Sequence, residues 1–259
     1  MRKSKILKID FKFQIIIPAR YASTRLPGKP LLEINGKPLI QHVYESACLC
    51  EAEKVYIATD DWRIQEKAES FGADVIMTTA DHLSGTDRLA EAVSILQLKN
   101  EAIIVNLQGD EIDMPASLVH QVAKGLYEHP QHSIATLCVR IEQDEDIKDP
   151  NVVKVVFDQN NTALYFSRAT IPHLREEQID GENQQANYFK HLGLYAYRVD
   201  YLKKFSTMSV CDLERSESLE QLRALYTGEK IYIEEACASA GIGIDTEEDL
   251  IRARQQTRT

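Results

Sequence analysis

The chain has 259 residues, with 40 Asp+Glu against 30 Lys+Arg, so its formal net charge is −10. Proteins that coat nucleic acid or an anionic membrane draw most of their affinity from neutralising phosphates, so this balance excludes a broad basic face for either partner. Hydrophobic residues at 44% and charged residues at 27% fit a globular protein long enough for one large core.

Five cysteines without C-x-x-C spacing point to neither a disulfide framework nor a zinc ribbon. The segment Met1–Lys12 is basic like the start of a signal peptide, but no apolar stretch of about 7–15 residues follows. Nothing approaches a membrane span, and a reducing, cytoplasmic setting is the expectation.

In chain order, Phe13–Ile17 is a short β-branched run stopped by Pro18, the pattern of a buried strand. Pro38 opens a helix to about Glu51, and Lys54–Ala58 is a second strand. Asp60 or Asp61 caps a helix that ends at Phe71-Gly72. Ala73–Met77 is a third strand, Thr86 to about Leu98 a third helix, Ala102–Asn106 a fourth strand, and Pro115 begins another helix. Alternation of this kind predicts a mostly parallel sheet with helices on both faces. From about residue 133 strands follow one another without long helices: Ile134–Val139, Val152–Phe157, Ala163–Phe166 and Leu192–Tyr197. They predict an antiparallel excursion in the second half. A helix around Leu219–Tyr226, a strand Lys230–Glu234 and a helix opened by the capping box Thr246-Glu-Glu-Asp249 close the chain. The stretches Glu142–Asp149 and Arg175–Asn187 read as surface loops. One α/β domain over 1–259, with 1–12 as an N-terminal extension, is the expectation.

Four constellations carry chemistry. Pro18–Pro30 places Arg20, Arg25 and Lys29 directly after the first strand with no acidic residue among them. Loops at carboxyl ends of strands line the crevice of an α/β sheet, and forked Arg donors with a Lys point charge suit a polyphosphate. The segment is neither a P-loop nor a G-x-G-x-x-G loop; the plain alternative is a solubilising loop. Asn106–Glu111 ends the fourth strand with Asp110 and Glu111, either ligands for a hard cation or a Gly-Asp turn, and Gly109 lets backbone approach a ligand. Asp113 is a third acid or an N-cap for the helix after Pro115. Asp245 either caps the last helix or ligates a cation, since Thr246 can do the capping. Arg168, after the strand Ala163–Phe166, is either aimed at a substrate carboxylate or a surface Arg. His191 is a ligand-facing or a hydrogen-bonded structural histidine.

The string Ile17–Leu31 resembles the 3-deoxy-manno-octulosonate cytidylyltransferases, the CMP-Kdo synthetases. The likeness continues through Ala58–Asp60, Ala80–Arg88, Val105–Glu111, Ala163–Pro172, His191–Tyr195, Leu219–Arg223 and Gly243–Leu250, covering nearly the whole chain. It implies a Rossmann-like nucleotidyltransferase fold, usually dimeric, that transfers CMP from CTP to 3-deoxy-D-manno-octulosonate (Kdo) for lipopolysaccharide synthesis, with Mg²⁺. By the same resemblance Arg20 and Lys29 hold the triphosphate, supported by Ser23 and Arg25. Ser84, Gly85 and Thr86 meet the cytosine or ribose, and Asp110 and Asp245 hold magnesium. Gln108, Arg168, His191, Tyr195 and Glu220 face the sugar acid. Where the family commonly reads Gln-Gly-Asp-Glu-Pro, this chain has Ile112 and then Asp113. Another sugar acid, an 8-amino Kdo analogue or a sialic acid, and a non-catalytic nucleotide-binding regulator are the competing readings.

Overall fold

The structure, a computed structural model, describes residues 11–22, 26–82, 84–174 and 188–256. Ser23, Arg25, residues 1–10 of the N-terminal extension and the stretch Arg175–Asn187 lie outside the described residues. The first strand, β1 (Gln14–Ala19), is the β-branched run. Ile15 and Ile17 enter one hydrophobic cluster and Ile16 another, on opposite faces of the sheet. A strand covered on both faces needs successive apolar residues, which is why the run shows no polar alternation. A 3-10 turn, Lys29–Leu31, leads to a hairpin of β2 (Glu33–Ile34) and β3 (Lys37–Pro38). Its Asn35-Gly36 turn has φ of 50° and 80°, a backbone region open to Asn and Gly.

Next come α1 (Leu39–Cys48), β4 (Lys54–Thr59), α2 (Trp62–Ser70), β5 (Asp74–Met77), α3 (Gly85–Ile95) and β6 (Ile103–Asn106). The strands lie side by side as β6-β1-β4-β5, all parallel. Asp61 is the N-cap of α2, and Asp60 instead pairs with Arg88. Apolar residues of α1 and α2 join the cluster of Ile15 and Ile17, and those of α3 join the cluster of Ile16. Helices therefore cover both faces.

The second half holds β7 (Glu111–Ile112), α4 (Ala116–Glu128), β8 (Ile134–Arg140), α5 (Asp144–Lys148), β9 (Lys154–Phe157), β10 (Ala163–Ser167) and β11 (Phe189–Arg198). α6 (Val199–Phe205), α7 (Asp212–Glu217), α8 (Gln221–Tyr226), β12 (Ile231–Glu235), β13 (Ile242–Gly243) and α9 (Glu247–Gln256) follow. β11 is the hinge of the architecture. It runs antiparallel to β6, β8 and β9 and joins the parallel half to the rest of a nine-stranded sheet. The antiparallel excursion is thus present and is one continuous extension of the parallel sheet.

Several expectations are corrected. The charged stretch Glu142–Asp149 contains α5, whose first turn carries Asp144, Glu145 and Asp146, the charge that a helix N-terminus favours. The helices α6 and α7 have no counterpart in the sequence reading, whereas the similarly short α8 does. Asp113 does not cap α4: its φ is 56°, it turns the chain in the left-handed region, and Pro115 takes the N-cap position. Among the described residues, no helix is long and apolar enough to cross a membrane.

Candidate functional site

Two cavities open beside the carboxyl ends of β1 and β6. The first, of about 360 Å³, is lined by Arg20 and Lys29 from the loop after β1, Ser84 and Gly85 at the start of α3, and Gln108, Gly109 and Asp110 after β6, with Asp245 and two further polar side chains, His82 and Arg88. Ser84 is the N-cap of α3: its Oγ accepts from the Asp87 amide at 3.1 Å and donates to Asp87 Oδ2 at 2.9 Å. A helix N-terminus therefore faces the cavity, an electrostatic setting that favours anions.

The charges converge through two short backbone devices. A Cβ at Gly109 would stand 2.7 Å from the Pro18 carbonyl oxygen, so glycine there lets the loop after β6 close on the loop after β1. That close approach is to the protein's own backbone rather than to a ligand. The second device is the ribbon of β7 and β13, which pairs Glu111 with Gly243. It is extended by Ile244 N donating to Asp110 O at 2.9 Å. The ribbon sets Asp110 and Asp245 side by side, and Lys29 Nζ donates to Asp110 Oδ2 at 2.5 Å, Ile244 O at 2.9 Å and Asp245 Oδ1 at 3.2 Å. Thr246 and Asp249 form the capping box: Asp249 N donates to Thr246 Oγ1, while Thr246 N and Asp245 N donate to Asp249 Oδ2. The cap is thereby served without the Asp245 carboxylate.

This donor set fits a hard cation. Two carboxylates meet on one positive centre, which here is the Lys29 ammonium. The next residue, Glu111, is half-buried, with its Oε2 atom buried and lacking a hydrogen-bond partner. Burial first, and then the charges of Asp110 and Asp245, push its acid group up to about 7. Mg²⁺ is commonly held by one or two carboxylates together with phosphate oxygens, and this corner has the oxygens and the surplus negative charge for it.

The second cavity, of about 320 Å³, lies along β11 and is walled by His191, Gly193, Tyr195 and Tyr197 from that strand, with Thr86, Gln108, Tyr201, Phe205, Glu220 and Gln221. Gln108 lines both cavities and is the wall they share. Thr86 Oγ1 donates to Glu220 Oε1. Burial raises the Glu220 carboxyl above its ordinary range, against the lowering hydrogen bonds from Ser84 and Thr86. His191 Nε2 meets Thr136 Oγ1 at 3.0 Å. That hydroxyl donates to Leu194 O at 2.8 Å, so the histidine nitrogen is the donor to it. Burial holds the His191 ring down to about 3, which keeps it a neutral imidazole. Rings run outward from it in sequence, Phe166 at 5.0 Å and Tyr195 at 5.2 Å, then Tyr195 to Tyr197 at 5.5 Å and Tyr197 to Tyr201 at 6.0 Å. One cavity is charged and the other aromatic.

The cytidylyltransferase family profile matches residues 14–231. The 3-deoxy-manno-octulosonate cytidylyltransferase of Hahella chejuensis is 52% identical over 245 residues, covering 93% of this chain and 96% of that protein. The chain is a member of the 3-deoxy-manno-octulosonate cytidylyltransferase family. Its namesake in Thioalkalivibrio sulfidiphilus is likewise 52% identical, covering 95% and 99% of the two chains. A solved structure of CMP:2-keto-3-deoxy-manno-octonic acid synthetase complexed with CTP superposes with a TM-score of 0.86 at 43% identity, covering 95% and 98%. A 4-diphosphocytidyl-2C-methyl-D-erythritol synthase from Anaerococcus prevotii, 14% identical with a TM-score of 0.59, shares the fold.

Set against the residues expected from the resemblance to this family, the first cavity gathers Arg20, Lys29, Ser84, Gly85, Gln108, Asp110 and Asp245. Thr86 sits instead on the wall of the second cavity, with Gln108, His191, Tyr195 and Glu220. Arg168 lines neither. Its Nε donates to Glu217 O at 2.6 Å and its Nη1 to Pro150 O at 2.9 Å, while Lys154 Nζ holds its carbonyl at 2.7 Å. In this state Arg168 fastens the end of β10 to the turn that carries Glu220. Sequence reasoning passed over His82, Arg88, Tyr197, Tyr201 and Gln221. Tyr197 could have been found, because it follows Tyr195 by two positions on a strand. Tyr201 lies in α6, which had no sequence signal.

Proposed function

We propose that the protein transfers CMP from CTP to the anomeric hydroxyl of Kdo, giving CMP-Kdo and diphosphate for lipopolysaccharide synthesis. The observation that carries this reading is the contact of two unlike cavities across Gln108, with Lys29, Asp110 and Asp245 gathered on the charged side. The charged cavity suits a nucleoside triphosphate. The aromatic one suits a sugar acid whose hydroxyls meet Glu220 and whose ring packs on Tyr195. The near relatives named as Kdo cytidylyltransferases and the CTP complex of one of them support the same assignment.

The chemistry requires no covalent enzyme intermediate. The anomeric oxygen forms a bond to the α-phosphorus as the bond to the β-phosphate oxygen breaks, and the hydroxyl proton leaves to solvent. Arg20 and Lys29 face the triphosphate and offset charge growing on the leaving diphosphate. Gln108 stands between the two reactants and orients them. Asp110 and Asp245 would hold Mg²⁺, which supplies Lewis acidity toward phosphate oxygens and lowers the pKa of an attacking hydroxyl. Thr86, anchored to Glu220, keeps the second cavity in register with the start of α3. His191 is neutral and hydrogen-bonded, so it orients and excludes water rather than pairing with a carboxylate. Arg168 is the cation nearest in role to a carboxylate partner, and reaching one requires it to exchange its bonds to Glu217 and Pro150. A homodimer acting in the cytoplasm is the assembly implied by the family resemblance.

The test is diphosphate release on mixing the protein with CTP, Mg²⁺ and Kdo. Release only with an 8-amino Kdo analogue or a sialic acid reassigns the sugar. CTP binding without release for any sugar acid makes the protein a nucleotide-binding regulator.

A further inference from the structure

Neither Tyr21 nor Arg63 lines either cavity, yet an unbroken set of contacts runs from them to Lys29. Because β1 and β4 are parallel neighbours with Ala19 opposite Thr59, the loop after β1 lies beside the N-terminus of α2. Asp61 caps that helix through Oδ1, which accepts the Arg63 amide at 2.9 Å. The same carboxylate accepts Arg63 Nε at 2.9 Å and Nη2 at 2.6 Å. An ion pair this exposed adds little to stability. Its consequence is geometric: two parallel bonds fix the plane of the guanidinium. That plane lies over Tyr21, with Cζ 3.3 Å from the ring centroid.

Tyr21 in turn sits on the turn that presents Lys29. Gly28 N donates to Tyr21 O at 3.0 Å, closing the base of the loop. A Cβ at Gly28 would stand 3.1 Å from Tyr21 Cε2, and Gly28 has φ of 69°, so glycine is required there by both the ring and the backbone. The turn continues with Lys29 N donating to Leu26 O at 3.1 Å and Leu31 N to Gly28 O at 2.8 Å. Lys29 leaves this turn toward Asp110 and Asp245.

We propose that Arg63 is a positioning residue for the nucleotide site: by stacking on Tyr21 it fixes the Gly28 turn and so aims Lys29. The stack requires a flat, delocalised cation, which lysine does not provide. The nucleotide part of this inference rests on the CTP reading given above; the turn-fixing part does not.

The test uses the full chain and four substitutions, Arg63→Ala, Arg63→Lys, Tyr21→Leu and Tyr21→Phe. Calorimetry gives the CTP Kd, kinetics at saturating CTP give the KM for Kdo, and hydrogen exchange without ligand reads the Gly28, Lys29 and Leu31 amides. Emission of Trp62, the single tryptophan, checks that the start of α2 is intact. Arg63→Ala and Arg63→Lys are expected to raise the CTP Kd by about two- to fivefold, the range for an exposed cation–π contact. They speed exchange at the three amides and leave the KM for Kdo and the melting temperature near wild type. Tyr21→Phe behaves as wild type, Tyr21→Leu reproduces Arg63→Ala, and combining the last two adds nothing further. The proposal is overturned by wild-type exchange at Gly28, Lys29 and Leu31 in Arg63→Ala, by full rescue with lysine, or by equal losses for CTP and Kdo. A wild-type protein that binds no CTP would sink the enzymatic reading, while the exchange measurement would still decide whether the stack fixes the turn.

Discussion

At the ends of β1 and β6 the charged side chains that reach the first cavity, Arg20, Lys29 and Asp110, come from loops beyond the strands. Along β11 the side chains that reach the second are the rings of His191, Tyr195 and Tyr197, which come from within the strand on the face that Gly193 shares. The difference follows from strand direction. Parallel strands are buried on both faces by helices, so only their carboxyl-end loops are available to a ligand. β11 enters the sheet antiparallel to β6, so it passes the site along its length and lends one face to it. Charge is thus delivered by loops, where Lys29 is held by two carboxylates and a carbonyl, and shape is delivered by a rigid strand.

The sharpest way to break this division is at the charged side. Asp110→Asn and Asp245→Asn are each expected to cut turnover by more than about 100-fold with the melting temperature near wild type, since each would remove a cation ligand. Diphosphate release measures it, and near wild-type turnover in either variant would remove the metal role. On the aromatic side, Glu220→Gln keeps an acceptor for Thr86 and loses the buried charge. The KM for Kdo should rise by about tenfold while the KM for CTP stays within about twofold. An equal rise for CTP would show that the two cavities act as one.

A third expectation concerns stability rather than turnover. The unfolded His191 imidazole has the ordinary value of 6.5, and burial holds the folded ring down to about 3. Between these values the unfolded chain binds a proton that the folded chain does not, so stability falls as pH drops through that window. Melting curves from pH 7 to pH 4 should show the fall, and His191→Gln should flatten it; an unchanged slope would assign the effect to other groups. The smallest effect is expected from Thr246→Ala, which removes the cap of α9 at a cost of about 1 kcal/mol. Any rise in the KM for CTP beyond about twofold would mean that the cap also holds Asp245 in place.

Much of this was legible before the structure. The four parallel strands were visible as apolar runs because burial on both faces demands them, and Arg20, Lys29 and Asp110 could be placed at strand ends for that reason. Asp245 was ambiguous. What brings it to Asp110 is a ribbon of two-residue strands, too short to carry any period, secured by the contact of Gly241 with Ile112, where a Cβ would stand 2.2 Å from a carbonyl oxygen. Ile112 is part of that ribbon and is buried, so the departure from the family's proline falls on a structural position. Arg168 was legible as a residue and not as a geometry, since its bonds to Glu217 O and Pro150 O depend on backbone carbonyls that any sequence supplies.

The acidic balance and the apolar runs by themselves determined a doubly covered α/β sheet without a broad basic face, and they put three basic residues after its first strand. Both are consequences of local chemistry: burial selects residue type, and net charge is a sum. Only the tertiary structure decided that Thr86 belongs to the second cavity, that Gln108 is a shared wall, and that Lys29 meets two carboxylates drawn from distant parts of the chain. Those facts depend on strand order, on the antiparallel entry of β11 and on two close backbone approaches, and no residue's own propensity encodes which distant backbone it will touch.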